Sequence, residues 1–206
     1  MSQMMGIRLR RAIGAGLLLA CAALAGCATA PAEHFYTLAG AAAPARSDVN
    51  YYVEVLAVNL PPQVSRNQLV VTGAGGRIEL LEQERWAGPL AAEVGQALSL
   101  GVTGELGAID VYRTPYPETL PVYRISTNVQ RFESVLGQYA LIDAVWSVRQ
   151  LSTSKVLTCR SVVKEGVDAG YDSLVAGHRR ALRRVAAQMA RAIRGFGGSG
   201  GDGRGC

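Results

Sequence analysis

The sequence predicts a single α+β domain in which a mixed or antiparallel sheet packs against two helices on one face. Three observations support this fold class. Several segments alternate apolar and polar residues, which is typical of strands with one buried face. Two further segments carry apolar residues at helical spacing, and the order along the chain is four strands, a helix, four strands and a helix. The 206 residues are enough for one domain with a buried core.

The first half of the domain is expected to hold four strands and the first helix. The stretch Gly73-Ala74-Gly75-Gly76 indicates the turn of a hairpin between the third and fourth strands. Pro89 suits the start of a helix, and a series of glycines marks its exit. The predicted strands cover residues 35–38, 51–60, 68–71 and 77–81, the helix covers 89–100, and the glycines are Gly101, Gly104 and Gly107.

The second half repeats this order. Tyr123, Ile125, Thr127 and Val129 alternate with polar residues, so they are expected to share the buried face of a strand. The last helix is expected to end at Gly195, a suitable left-handed cap. The predicted strands cover residues 108–112, 123–132, 141–151 and 156–167, and the helix covers 173–194.

The N-terminal segment has the layout of an export signal. Arg8, Arg10 and Arg11 precede an uncharged run that lasts until Glu33. The run contains Leu24-Ala25-Gly26-Cys27, which resembles the lipobox of bacterial lipoproteins. That resemblance implies cleavage after Gly26 and a mature N-terminal Cys27 that carries diacylglycerol and an N-acyl chain. Several acyl chains together would anchor the protein durably.

Three alternatives for this leader stay open. Cys21 also ends a lipobox-like sequence, although only nine residues separate it from Arg11. Ala28-Thr29-Ala30 would suit an ordinary signal peptidase, but Pro31 follows it at an unfavourable position. Residues 12–32 nearly reach the roughly 20 residues that a membrane span requires. Under the lipobox interpretation the chain divides into a signal peptide (1–26), a lipidated tether (27–34), an α+β domain (35–194) and a flexible Gly-rich tail (195–206).

The charge of the mature chain does not favour nucleic acid as a partner. The formal charge of +5 includes three leader arginines and no leader acid, so the mature chain carries +2. We therefore expect no nucleic-acid binding. Residue 28 is Ala rather than Asp, which by the enterobacterial sorting rule implies the outer membrane, with the domain on its periplasmic face.

Several short sequences in a fixed order resemble the ABC-type transport auxiliary lipoproteins. They are Phe35-Tyr36-Thr37-Leu38, Ile78-Glu79-Leu80, Trp86, Pro89-Leu90, Tyr123-Arg124, Arg131-Phe132, Trp146 and the final Ala/Arg helix. The resemblance implies a non-enzymatic lipoprotein that works with an MCE-domain protein and a permease to move lipids between the inner and outer membranes. It further implies a ring-shaped homo-oligomer at the outer membrane and no cofactor. Cys27 is the one functional residue that transfers by position.

Two other functions were weighed against this one. The first is a stand-alone periplasmic carrier of lipid or another small hydrophobic molecule, which would need a deep apolar cavity. The second is a general envelope scaffold. Enzyme activity is not expected, because His34 and His178 are the only histidines and no nucleophile or metal-ligand spacing occurs.

The last helix separates an apolar side from a basic side. Arg179, Arg180, Arg183 and Arg184 form the candidate contact face. The simpler interpretation is a solvated basic face on a helix that packs against the sheet. The alternative is contact with lipid phosphates or an acidic partner.

The sequence also predicts the environment of four apolar residues and the state of two cysteines. Trp86 and Trp146 are expected in the core, and Val135 and Leu136 are candidates for a partner or membrane contact. Cys159 is expected to be buried and inert. Cys206 has three open alternatives: a bond to a second copy, a bond to Cys159, or none.

Overall fold

The computed structural model describes residues 31–40 and 49–196. The predicted signal peptide, the predicted lipobox, Cys27, the predicted tail from residue 197 and Cys206 lie outside these described residues. The described fold consists of two mixed sheets and two long helices. The eight strands and two helices follow the predicted order, so the α+β prediction is confirmed.

The smaller sheet has three strands in the order β1-β4-β3. The β3 and β4 strands form the predicted antiparallel hairpin, while β1 lies parallel to the end of β4. Gly75 and Gly76 adopt positive φ angles of 69° and 77° in the hairpin turn, which favours glycine there. The strands are β1 (His34–Tyr36), β3 (Gln68–Thr72) and β4 (Ile78–Trp86).

The larger sheet has five strands in the order β5-β2-β6-β7-β8. The first two pairings are parallel, and β6, β7 and β8 form an antiparallel meander. The expected single sheet is thus two sheets, because the described strands β1, β3 and β4 pair with one another and with no strand of the larger sheet. The strands are β2 (Tyr52–Val55), β5 (Ile109–Asp110), β6 (Val122–Val135), β7 (Tyr139–Gln150) and β8 (Val156–Gly166).

The first helix, α1 (Leu90–Leu106), is longer than predicted. It continues through Gly101 and Gly104 and ends at Gly107, whose φ of 64° gives a left-handed cap. Gly101 is a packing residue rather than a stop signal. A Cβ atom at Gly101 would lie 2.6 Å from the Cβ atom of Ala186 on the second helix. The glycine therefore permits the close approach of the two helices.

The second helix, α2 (Tyr171–Phe196), includes the residue predicted to cap it. Gly195 lies within the helix, so its prediction as the C-terminal cap is wrong. The helix continues because Phe196 packs against the core, edge-on to Tyr123 with ring centroids 5.7 Å apart. This contact favours one further helical position over termination at the glycine.

The core lies between the helices and the inner faces of the strands. Trp86 and Trp146 are both buried in it, which confirms their prediction. Trp146 Nε1 donates a hydrogen bond of 2.8 Å to Ser161 Oγ, so its polar atom is satisfied. Cys159 is buried as predicted.

A buried histidine forms part of this core. The ring of His178 is stacked on Phe132 with a centroid distance of 4.0 Å. Its Nε2 atom lies 2.8 Å from Ser134 Oγ. Burial lowers the pKa of His178 to about 3, so the imidazole is neutral in the folded protein at neutral pH.

Candidate functional site

The first strand is where the predicted tether meets the folded domain. Seven residues lie between Cys27 and Phe35. Cys27 and its preceding lipobox residues Leu24, Ala25 and Gly26 are outside the described part of the chain. What the structure does show is how residues 34–38 are held. Glu84, Glu93 and Arg179 surround this segment, and we call these three residues the N-terminal clamp.

Glu84 of β4 holds the beginning of the segment. Its carboxylate accepts a hydrogen bond of 2.6 Å from the Tyr36 hydroxyl and lies 2.9 Å from His34 Nδ1. Burial raises the pKa of Glu84, but the hydrogen bonds from Tyr36 and His34 outweigh it and hold the pKa below its usual value. Burial, together with the bond to Glu84, raises the pKa of Tyr36. The pair therefore consists of an ionised carboxylate and a neutral phenol at neutral pH.

Glu93 holds the end of the segment from the first turn of α1. One carboxylate oxygen, Oε2, accepts hydrogen bonds of 2.7 Å from both Thr37 Oγ1 and the Leu38 backbone N–H. Glu93 and Leu38 are both buried. A carboxylate in the first turn also interacts favourably with the helix dipole. Glu93 therefore joins α1 to the N-terminal segment through charge-assisted bonds.

Arg179 completes the clamp from α2. Its Nε and Nη2 atoms donate hydrogen bonds of 2.9 Å and 2.6 Å to the carbonyl oxygen of Thr37. Two further contacts reinforce the segment. The Ala87 N–H donates a hydrogen bond of 2.7 Å to Tyr36 O, and Arg85 lies 3.2 Å from Glu33, which precedes the segment. Bonds from β4, α1 and α2 thus meet on one segment, which fixes the N-terminal strand to three different elements.

The other predicted arginines divide into two groups. Arg180 Nη2 donates to Gly166 O at 2.7 Å, and its Nε lies 3.2 Å from Glu165 on β8. Arg184 forms an ion pair of 3.0 Å with the same carboxylate. Arg183 is exposed and has no hydrogen-bond or ion-pair partner within residues 31–40 and 49–196. Three of the four arginines therefore join α2 to the rest of the domain, but 67% of the Arg184 side chain is exposed, so Arg183 and Arg184 both face solvent.

Sequence analysis did not single out Glu84 or Glu93. Glu93 is separated by 56 residues from the threonine that it binds, and Glu84 by 48 from its tyrosine. A weak signal existed in the helix, where Glu93 lies beside the apolar stripe formed by Leu90, Val94 and Leu98. An acid next to an apolar helix face suggests a buried partner, but the sequence does not say which.

The described residues also bear on the predicted contact residue Leu136, on membrane-spanning helices and on metal binding. Leu136 is exposed at the turn between β6 and β7, where a contact residue was predicted. Within residues 31–40 and 49–196, no helix is long and apolar enough to cross a membrane. The same part of the chain contains no group of three His, Cys, Asp or Glu side chains suited to a metal ion.

Among the described residues, side chains fill the space between α2 and the larger sheet. Leu174, Leu182 and Met189 of α2 fill the interface with the larger sheet, together with Ile125 and Ile142. Two clefts that the described residues line, of about 330 and 240 Å³, both lie open at the surface. Neither is the deep apolar cavity that the carrier alternative requires.

The family of ABC-type transport auxiliary lipoprotein components matches residues 36–190, which is more than half of the chain. The chain therefore belongs to this family. Membership indicates a membrane-anchored periplasmic lipoprotein that serves a transport system. Whether the protein lacks enzyme activity stays a prediction, although the family is described as a transport component. No curated protein matches the chain.

Solved structures support the fold. An uncharacterized protein has a TM-score of 0.63 at 16% identity, covering 79% of this chain and 99% of its own. A Xanthomonas campestris protein of the DUF330 family has a TM-score of 0.56 at 18% identity, covering 76% and 92%. The PelC dodecamer of Paraburkholderia phytofirmans has a TM-score of 0.39 at 10% identity, covering 76% and 88%, which is too low to indicate how this chain assembles.

Proposed function

We propose that this chain is the outer-membrane docking component of an MCE-type system that transports lipids between the inner and outer membranes. Cys27 carries the diacylglycerol and N-acyl chains that anchor it to the periplasmic face of the outer membrane. Its partners are an MCE-domain protein and a permease, and it assembles as a homo-oligomer. No cofactor beyond the covalent lipid is required, and the chain performs no catalysis.

The family match over residues 36–190 is the observation that carries this proposal. The match begins nine positions after Cys27, so the family domain follows the predicted lipid anchor almost directly. The N-terminal clamp supports the same function. A docking component must hold its partner at a set distance from the membrane, and the clamp fixes the first strand that follows the tether.

The exposed Arg183 and Arg184 are the remaining candidates from the predicted basic face for contact with an acidic partner or lipid phosphate. Arg179 and Arg180 contribute less to such a contact, because their guanidinium groups already bind the carbonyl oxygens of Thr37 and Gly166. The proposed basic contact is therefore narrower than the four-residue face.

Lipid transfer in isolated envelopes tests the proposed function. A labelled phospholipid is introduced into the inner membrane, and its arrival in the outer membrane is followed after density separation. We expect slower transfer in envelopes that lack this protein. The wild-type chain should restore transfer, whereas Cys27→Ser should not, because it cannot be lipidated. Normal transfer without the protein, or full restoration by Cys27→Ser, would refute the proposal.

A further inference from the structure

The tip of the β3–β4 hairpin projects from the domain. All eight residues from 73 to 80 are exposed, whereas β3 beside them is largely buried. Ile78 and Leu80 have 47% and 40% of their surface exposed. They lie on the same face of β4, since alternate residues of a strand point the same way. Arg77 precedes them and is also exposed.

The direction of β1 relates this tip to the membrane anchor. β1 is parallel to β4, with His34 paired to Glu84, so the chain enters β1 from the end at which β4 begins. Thr72 pairs with Ile78 and Gln68 with Arg85, because β4 has a register shift between residues 81 and 85. Four β3 residues therefore cover this stretch, so the hairpin tip extends about 14 Å past the start of β1 at 3.4 Å per residue, on the side where the tether enters.

The length of the tether matches this projection. Seven peptide steps join Cys27 to His34, and they span at most about 25 Å when extended. The lipid attachment point can therefore lie at most about 11 Å beyond the level of Ile78. A bilayer that holds the lipid of Cys27 would lie within reach of the hairpin tip.

We infer that the tip of the β3–β4 hairpin, through Ile78, Leu80 and Arg77, rests on the surface of the phospholipid bilayer that anchors the chain. This inference rests on the lipidation of Cys27 in the proposed function. The chemistry fits a shallow contact: two apolar side chains meet the acyl boundary and one cation meets the phosphates. Arg77 and Glu79 alternate with Ile78 and Leu80 and lie on the opposite face, so the segment is two-sided and lies at the interface rather than entering the hydrocarbon.

The N-terminal clamp keeps the hairpin tip in contact with the bilayer. Glu84 binds both His34 and Tyr36, and Arg179 binds Thr37, so β1 keeps its direction relative to β4. A fixed tether entry and a projecting hairpin together define which side of the domain faces the bilayer. The opposite side is then presented to the periplasm.

Tryptophan quenching by brominated lipid tests this inference on the mature, lipidated chain. Ile78→Trp and Leu80→Trp are compared with wild type after reconstitution into phosphatidylcholine vesicles, with and without bromine. Phe35→Trp is the matched control, because Phe35 is 61% exposed on the same sheet but about 14 Å from Ile78. All variants retain the buried Trp86 and Trp146 as a common background.

We expect bromine to quench Ile78→Trp and Leu80→Trp more strongly than wild type, while Phe35→Trp matches wild type. Equal quenching at positions 78 and 35, or stronger quenching at 35, would overturn the inference. A blue-shifted but unquenched tryptophan at 78 would also overturn it, since a protein surface would then cover the tip. Flotation of the vesicles separates the two proposals. Protein that floats without quenching at 78 contradicts only the hairpin contact, whereas protein that fails to float contradicts lipidation as well.

Discussion

Arg179 and Thr37 are 142 residues apart in the sequence, yet the arginine donates two hydrogen bonds to the threonine carbonyl at 2.9 Å and 2.6 Å. The bonds join the middle of the last helix to the strand that follows the predicted lipid tether. A residue expected to face solvent thus holds the N-terminal strand in place.

Replacing Arg179 tests this role against a neighbouring arginine. Arg179→Gln removes both bonds to Thr37 O, and we expect it to lower the free energy of unfolding by about 1–3 kcal/mol. Arg183→Gln is the matched control, since Arg183 is exposed and should change stability by less than about 0.5 kcal/mol. Urea unfolding measures both. Equal effects of the two substitutions would show that the clamp contributes nothing through Arg179.

Glu93→Gln should loosen the N-terminal segment specifically. The neutral amide weakens the bonds from Thr37 and Leu38, so unfolding free energy should fall by about 1–2 kcal/mol. Amide hydrogen exchange at Leu38 should accelerate more than exchange in β7. Glu105→Gln is the control, because Glu105 is half-exposed near the other end of the same helix. Unchanged protection of Leu38 in Glu93→Gln would contradict the assignment.

Gly101 and Gly104 should respond oppositely to alanine. Gly101→Ala places a methyl group 2.6 Å from Ala186 Cβ, so the helices must separate at a cost of about 1–3 kcal/mol. Gly104→Ala meets no atom within 4 Å and should stabilise the helix by up to about 1 kcal/mol. Thermal unfolding distinguishes them. Adding Ala186→Gly should recover part of the loss in Gly101→Ala, and destabilisation by both alanines would contradict the close helix contact.

His178 should make stability depend on pH. Its pKa is about 3 in the folded protein and about 6.5 in the unfolded chain. Above pH 6.5 both states are neutral at this residue, and its contribution is complete. As pH falls from 6.5 toward 3, only the unfolded state gains the proton, so stability decreases by up to about 1.4 kcal/mol per pH unit.

The comparison that isolates this effect is the slope of unfolding free energy between pH 4 and 6.5 in wild type and His178→Gln. The variant is expected to be less stable at pH 7, because it disrupts the stack on Phe132, but its slope should be shallower. Titration of the acidic residues is common to both proteins and cancels. Parallel slopes would mean that His178 is protonated in the folded state.

The strands and helices could be predicted from local patterns, because the spacing of apolar residues in each segment shows which of its residues are buried. The alternation from Tyr123 to Val129 identified β6, and the apolar side of residues 173–194 identified α2. What the sequence could not show was pairing between distant segments. β1 pairs with the β3–β4 hairpin, and no strand of this group pairs with a described strand of the larger sheet, so the expected single sheet is two.

Contacts between distant segments also explain why the helix ends were predicted wrongly and why the N-terminal clamp was not predicted. Gly101 and Gly195 look like stop signals locally. The first lies where α1 packs closely on Ala186, and the second precedes Phe196, which packs on Tyr123, so both positions are helical. Glu93 binds a segment 55 residues earlier, and nothing near it in sequence reveals that partner. Cys27 and the lipobox, by contrast, are read from a local signal and stay predictions.

The proposed place of this protein in a lipid transport complex is tested most directly by affinity purification of the mature, lipidated chain from gently solubilised envelopes. Mass spectrometry then identifies the partners and lipids that accompany it, with Cys27→Ser as the control. We predict recovery of an MCE-domain protein with the lipidated chain and its reduced recovery with Cys27→Ser. Stoichiometric lipid without any MCE-domain protein would contradict the docking function and favour a carrier.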